Sequence, residues 1–153
     1  MKDETMTTPT TAPDPAAMLA FGRAVLAQQS FSTMLGAELT AFNGSTVELT
    51  VPIRADLLQQ NGFAHGGVVS YMADNALTFA GGLALGSAVL TSEFKINYVR
   101  PARGAAIVAR ATLVYGGRRQ AVCRADIFAR DEAGAETLVA VAQGTIAAIV
   151  AST

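Results

Sequence analysis

Ser70, Asp74 and Thr78 lie four residues apart inside the otherwise apolar run GGVVSYMADNALTFA. That spacing places them in one stripe along a helix. Around them, Val68, Val69, Met72, Ala73, Ala76, Leu77, Phe79 and Ala80 cover almost the whole circumference, which marks a buried helix. A carboxylate in such a helix is costly unless it is paired, wetted or used, and no Lys or Arg in the segment can pair with Asp74. Two readings follow: Asp74 caps or bridges a neighbouring group, or it serves as a general base on water or a nucleophile on a carbonyl. Thr78, one turn on, either orients that carboxylate and its water or bonds back to its own helix.

The run opens on His65-Gly66-Gly67. Glycine lets a ligand approach the backbone, and a helix start offers N–H groups without internal partners. Gly66 and Gly67 therefore suit a developing oxyanion, or they simply make room for a tight turn and for helix–sheet packing. Gly66 and Asp74 are eight residues apart, about 12 Å at ~1.5 Å per residue. One carbonyl cannot reach both within a subunit. If they cooperate, they come from two subunits across a two-fold axis, with two sites per dimer.

Other elements must hold this helix, predicted from Gly66 to about residue 83. Residues 1–13 are Thr- and Pro-rich and read as a disordered tail; 14–153 reads as one domain. Asp14-Pro15 is a helix start, and Met18, Leu19, Phe21, Val25 and Leu26 carry that helix to about Gln29. Asn43-Gly44 between 37–42 and 46–53 predicts a hairpin, because both residues tolerate positive φ. Gly81-Gly82 marks fraying or close packing against a neighbour. Four strands follow, over 89–99, 105–115, 119–130 and 137–150. The third alternates Ala121, Cys123, Ala125, Ile127 and Ala129 with polar residues, so one face is covered. The order is α+β: a largely antiparallel sheet round one long central helix.

Composition narrows the function. Of 153 residues, 51% are hydrophobic and only 15% charged, below the usual charged share, which points to an oligomer. Net charge −1 argues against a sequence-independent nucleic-acid binder. One cysteine and one histidine leave no internal disulfide, no Cys-based zinc cluster and no multi-His metal site. No signal core or uninterrupted membrane-length apolar run is present, so a cytoplasmic protein off the membrane is expected.

HGG at 65–67, followed by Asp74-Asn75-Ala76, the strand FKINYVRPA and the turn GGRR, resembles the PaaI-type acyl-CoA thioesterases of the hotdog superfamily, with its 4-hydroxybenzoyl-CoA branch. The likeness covers roughly 35–150. It implies a curved antiparallel sheet wrapped round one long helix, a dimer or a homotetramer made of dimers, and metal-free hydrolysis of an acyl-CoA with no cofactor beyond the CoA of the substrate. It places the helix acid on Asp74, the oxyanion N–H on Gly66 and the assisting amide on Gln59, with neighbouring Asn61 in an open role. The hydroxyl that helps the water falls on Thr78 or Thr91. Gly67 completes the turn. His65 is the only histidine a hotdog dehydratase or hydratase could use, but the motifs around such a histidine are absent, so it is expected to shape the turn or pack at the site. CoA carries phosphates, and guanidinium forks suit them: Arg100 and Arg103 flank Pro101, and Arg118-Arg119 follow Gly116-Gly117. Each arginine is equally readable as solvated turn charge. A non-catalytic acyl-CoA-binding protein is the third reading; residues 1–30 offer no helix-turn-helix to accompany it.

Overall fold

The computed structural model describes residues 14–86 and 88–149; the tail expected over 1–13 lies outside them. Helix α1 (Pro15–Ala27) starts where Asp14 accepts from the N–H groups of Ala16 and Ala17, with Pro15 in its first turn. A short helix, α2 (Ser30–Leu35), follows and ends on Gly36 in the left-handed region. Strands β1 (Glu38–Phe42) and β2 (Val47–Pro52) form the expected hairpin. Its turn uses different chemistry from that expected: neither Asn43 nor Gly44 has positive φ. Instead Asn43 Oδ1 accepts from the N–H groups of Ser45 and Thr46 at 3.1 and 3.0 Å, a side chain standing in for a backbone turn.

Helix α3 (Gly66–Leu85) is 20 residues long. It runs through Gly81-Gly82 rather than fraying there. A Cβ at Gly81 would collide with Ile146 on the sheet, so this glycine marks close packing. The helix stops at Gly86, whose φ of 62° is left-handed, a frequent helix end.

Strands β3 (Val89–Tyr98), β4 (Ala106–Gly116), β5 (Gln120–Arg130) and β6 (Glu136–Ala148) complete a six-stranded antiparallel sheet of order β1-β2-β4-β5-β6-β3. Helix α3 lies against β2 to β6. Its Met72, Ala73, Ala76 and Leu77 are fully buried against a core that includes Leu49, Ile107, Ile127 and Ile146. On β5 the residues predicted to face the core do so. One long helix wrapped by a curved antiparallel sheet is the hotdog fold. Among the described residues no helix is long and apolar enough to cross a membrane.

Two features of this frame position the site. Among the described residues strand β3 is an edge strand, paired only with β6. It also carries a bulge between Thr91 and Glu93. Alternation along a strand has period two, so an extra residue at Ser92 switches the inward set from Val89 and Thr91 to Phe94 and Ile96. The bulge re-aims the strand and lets Thr91 face α3 together with that second set.

Candidate active site

Asp74 sits mid-helix and half-buried. Thr91 Oγ1 donates to its Oδ1 at 2.6 Å. Thr78 Oγ1 donates to the Asp74 carbonyl at 2.8 Å and lies 2.8 Å from Thr91 Oγ1. The two threonines that sequence reasoning offered as alternatives are therefore one cluster with the acid. Thr78 also makes the bond back to its own helix. Asp74 Oδ2 has no hydrogen-bond partner among the described residues. Ser70, the third member of the stripe, makes no bond to this group.

At the start of α3, His65 is the N-cap: its Nδ1 accepts from Gly67 N–H at 2.9 Å. It caps the turn and engages the Gly67 donor. The Gly66 N–H has no partner among the described residues, and the Gly66 carbonyl is held by Tyr98 Oη at 3.1 Å. Of the two glycines, Gly66 alone presents a free, fixed donor. A Cβ there would meet only the Tyr98 side chain, at 3.8 Å, an ordinary contact. Among the described residues nothing demands glycine at 66, which points to something approaching from outside.

Gln59 and Asn61 lie in the turn leading into α3. Gln59 Oε1 accepts from Asn61 N–H, and Gln59 N–H donates to Phe63 O at 2.8 Å. The Gln59 carbonyl end thus folds into its own turn. Asn61 is exposed.

The four arginines are not one group. Arg100 donates to Leu138 O at 3.1 Å, and the Arg103 guanidinium stacks 4.5 Å from the Phe63 ring centroid, a cation–π contact. Ala64 N–H donates to Ala102 O at 2.9 Å, which ties this loop to the lead-in of α3. Arg118 and Arg119 are exposed on the β4–β5 turn. The end of β4 beside that turn approaches the other end of α3, where a Cβ at Gly116 would lie 3.9 Å from Ala84. A 20-residue helix is about 30 Å long, so within one subunit the two pairs cannot hold the same phosphates.

A cleft of about 910 Å³ runs between α1 and α3. Its walls are mainly apolar, with Met18, Phe21 and Val25 on α1, Phe79, Gly82 and Leu83 on α3, and Phe42 and Val89 from the sheet. A Cβ at Gly82 would meet Val89 at 3.6 Å, an ordinary contact. Two polar side chains line the cleft, Thr78 and Gln29. Thr78 belongs to the Asp74 cluster, so cleft and carboxylate are adjacent.

Gln29 belongs to a second cluster that sequence reasoning missed. Its Oε1 accepts from Ser32 Oγ at 2.6 Å and from Asn75 Nδ2 at 3.0 Å. Tyr71 Oη donates to Ser32 Oγ at 2.6 Å and accepts from Asn75 Nδ2 at 2.9 Å. Ser32 and Asn75 are buried. Burial pushes the Tyr71 phenol above its ordinary value, against the pull of its bonds to Ser32 and Asn75. The available signal was Asn75, a polar amide one residue from Asp74 in a buried helix, which needs partners somewhere. Among the described residues no three His, Cys, Asp or Glu side chains group as a metal site.

One long helix wrapped by a six-stranded antiparallel sheet places this protein among the hotdog proteins. The thioesterase superfamily model matches residues 61–136. A Haemophilus influenzae protein named "Putative esterase" is 35% identical over 104 residues, 67% of this chain and 75% of that protein. A thioesterase family protein from Silicibacter pomeroyi superposes with a TM-score of 0.78 at 33% identity, over 90% of this chain and 99% of that one. The E. coli PaaI protein from the phenylacetic acid degradation operon shares the fold, with a TM-score of 0.75 at 21% identity over 89% and 96% of the two chains. The chain belongs to the thioesterase superfamily.

Proposed function

We propose that this protein hydrolyses acyl-CoA thioesters at Asp74, with the acyl group in the α1–α3 cleft. The observation that carries the reading is a half-buried carboxylate with one oxygen held by Thr91 and the other free, beside an apolar cleft that shares Thr78 with it. Asp74 takes a proton from water, and the hydroxide attacks the thioester carbonyl. The tetrahedral oxyanion rests on a Gly66 N–H, and the departing CoA thiolate takes up the proton, so thioester and water give acid and thiol. In the covalent variant Asp74 attacks the carbonyl itself, and the C–S bond breaks to release the CoA thiolate. Water then opens the mixed anhydride, giving the acid, the freed Asp74 carboxylate and the proton that the thiolate takes up.

Gly66 and Asp74 are too far apart along α3 to serve one carbonyl, so the oxyanion donor comes from a second copy of the chain. Strand β3 supports this. It is a ten-residue edge with no outer partner among the described residues, and Leu90 at its start is 64% exposed. Such an edge is a template for pairing with another chain. Antiparallel pairing of two β3 edges brings two copies together across a two-fold axis. Arg100 and Arg103 share the Gly66 end of α3 and are the arginines assigned to the CoA phosphates.

The test is thiol release from a panel of acyl-CoAs, short, long and aromatic, with wild type and Asp74→Ala side by side. Release that vanishes in a folded Asp74→Ala protein is expected. A mutant that keeps most of the activity, or a wild type inert on every member, overturns the reading.

A further inference from the structure

The cleft is not uniformly apolar, and its polar exception is oriented. Ser32 and Asn75 occupy the acceptor positions of Gln29 Oε1. That pins the carbonyl arm of the carboxamide into the protein, so the Nε2 arm turns the other way. No described residue accepts from Nε2, and Gln29 forms part of the cleft wall. Helix capping does not explain the residue: Gln29 is the N-cap of α2, yet its side chain makes no cap bond. The described structure therefore holds a fixed amide with two unused donors beside the cleft.

Its position decides what it meets. Successive helix residues are about 100° apart. Asn75, which holds Gln29, is about 100° round α3 from Asp74, and Thr78 lies between them, about 40° from Asp74 and one turn on. The Gln29 N–H pair thus stands at the Asp74 level of the helix, across Thr78 from the carboxylate. From there the cleft runs past Phe79 and Leu83 toward Gly86.

We propose that Gln29 is a specificity-determining residue that donates to an oxygen close to the thioester, so that the preferred substrates are β-hydroxyacyl or β-ketoacyl thioesters with an apolar tail. This rests on the cleft holding the acyl group. A thioester carbonyl at Asp74 with its chain entering past Thr78 brings its first few carbons to the amide. The rest of the chain meets Phe21, Phe42, Phe79 and Leu83.

The experiment compares kcat/KM of the full chain on three CoA thioesters of equal chain length: unsubstituted, β-hydroxy, and hydroxylated at the tip. Wild type is expected to favour the β-hydroxy thioester by about tenfold, the scale of one well-made hydrogen bond. Gln29→Glu keeps an oxygen for Ser32 and Asn75 but puts an acceptor where the donor was. A β-hydroxyl can still donate to it, so this variant is read on a β-keto thioester, an acceptor only, whose preference over the unsubstituted chain is expected to be abolished or inverted. Gln29→Met, with neither group, is expected to erase it. A merely structural Gln29 would lower all three substrates together and leave the ratio standing, which overturns the proposal. Equal wild-type rates on the plain and β-hydroxy thioesters, or a preference for the tip hydroxyl, also overturn it while leaving thioester hydrolysis intact. A wild type inert on all three overturns both.

Discussion

Asp74 and Asn75 are consecutive residues of α3, and they face two different polar clusters. On the Asn75 side, four protons, one each from Ser32 and Tyr71 and two from Asn75, serve four contacts at 2.6, 2.6, 3.0 and 2.9 Å, and Ser32 Oγ is a second, longer acceptor for Asn75 Nδ2 at 3.4 Å. Each of those protons has an acceptor, the Gln29 Nε2 donors stay outside the network, two of the four residues are buried, and the cluster ties the α1–α2 junction to α3. On the Asp74 side, three contacts at 2.6, 2.8 and 2.8 Å have only the two hydroxyl protons of Thr78 and Thr91, because an ionised carboxylate donates none. A network of neutral groups bonded to one another across three helices holds structure. A cluster with a free carboxylate oxygen beside a cleft is where water and substrate can enter.

The largest effect should come from the open cluster. Asp74→Asn keeps the shape and removes the base; kcat is expected to fall by about 10²–10⁴ with the melting curve unmoved. A wild-type-like kcat in that variant would put both clusters on the same structural footing. Gly66→Ala comes next. The added methyl has room within the chain, so stability should hold. If a thioester carbonyl approaches the free N–H, turnover should drop on the order of a hundredfold. Normal turnover in folded Gly66→Ala would remove Gly66 as the oxyanion donor. Thr91→Val is the finer cut: it deletes the donor to Asp74 Oδ1 and is expected to cost about tenfold in kcat/KM. Thr78→Val, whose hydroxyl bonds the Asp74 backbone instead, should cost less. The reverse order would make Thr78 the residue that orients the acid.

The parts of this design that repeat along the chain were legible in the sequence. The all-round apolar period of α3, the alternation on β5 and the Ser70-Asp74-Thr78 spacing each depend only on neighbours a few residues away. Where an outcome depended on what packs against a residue, the reading stopped short. Gly81 continues α3 because Ile146 of β6 leaves no space for a side chain, and sequence alone left fraying open. Thr91 faces α3 beside Phe94 because of the bulge at Ser92, which no period announces. The hairpin at Asn43 was legible but its mechanism was not, since a side-chain turn and a positive-φ turn favour the same residue. The four arginines looked alike in sequence and separate only once the two ends of α3 are in place. Gln29, Ser32, Tyr71 and Asn75 come from three helices, so their meeting has no sequence signature beyond one amide in need of partners.

The smallest expected effect tests the closed cluster through its own titration. Tyr71→Phe removes one donor to Ser32 and one acceptor for Asn75, and stability should fall by about 1–2 kcal/mol at neutral pH. The pH dependence carries more information than the drop. Burial holds the folded Tyr71 phenol above its ordinary value of 10.0, so above that pH the unfolded chain releases a proton that the folded chain keeps. The folded state then binds more protons, and its stability falls as pH rises. The contribution from this group is fully present below the unfolded pKa and is lost through the folded one. Phe cannot ionise, so the stability gap between wild type and Tyr71→Phe should be widest below about pH 10 and narrow above it. The buried Cys123 thiol, pushed up to about 11, titrates in the same window but is common to both proteins and cancels. Urea midpoints from about pH 8 to about pH 11 measure the gap. A gap that stays constant across that range would mean the phenol ionises alike folded and unfolded, and the contrast between a sealed cluster at Asn75 and an open one at Asp74 would fail on its sealed side.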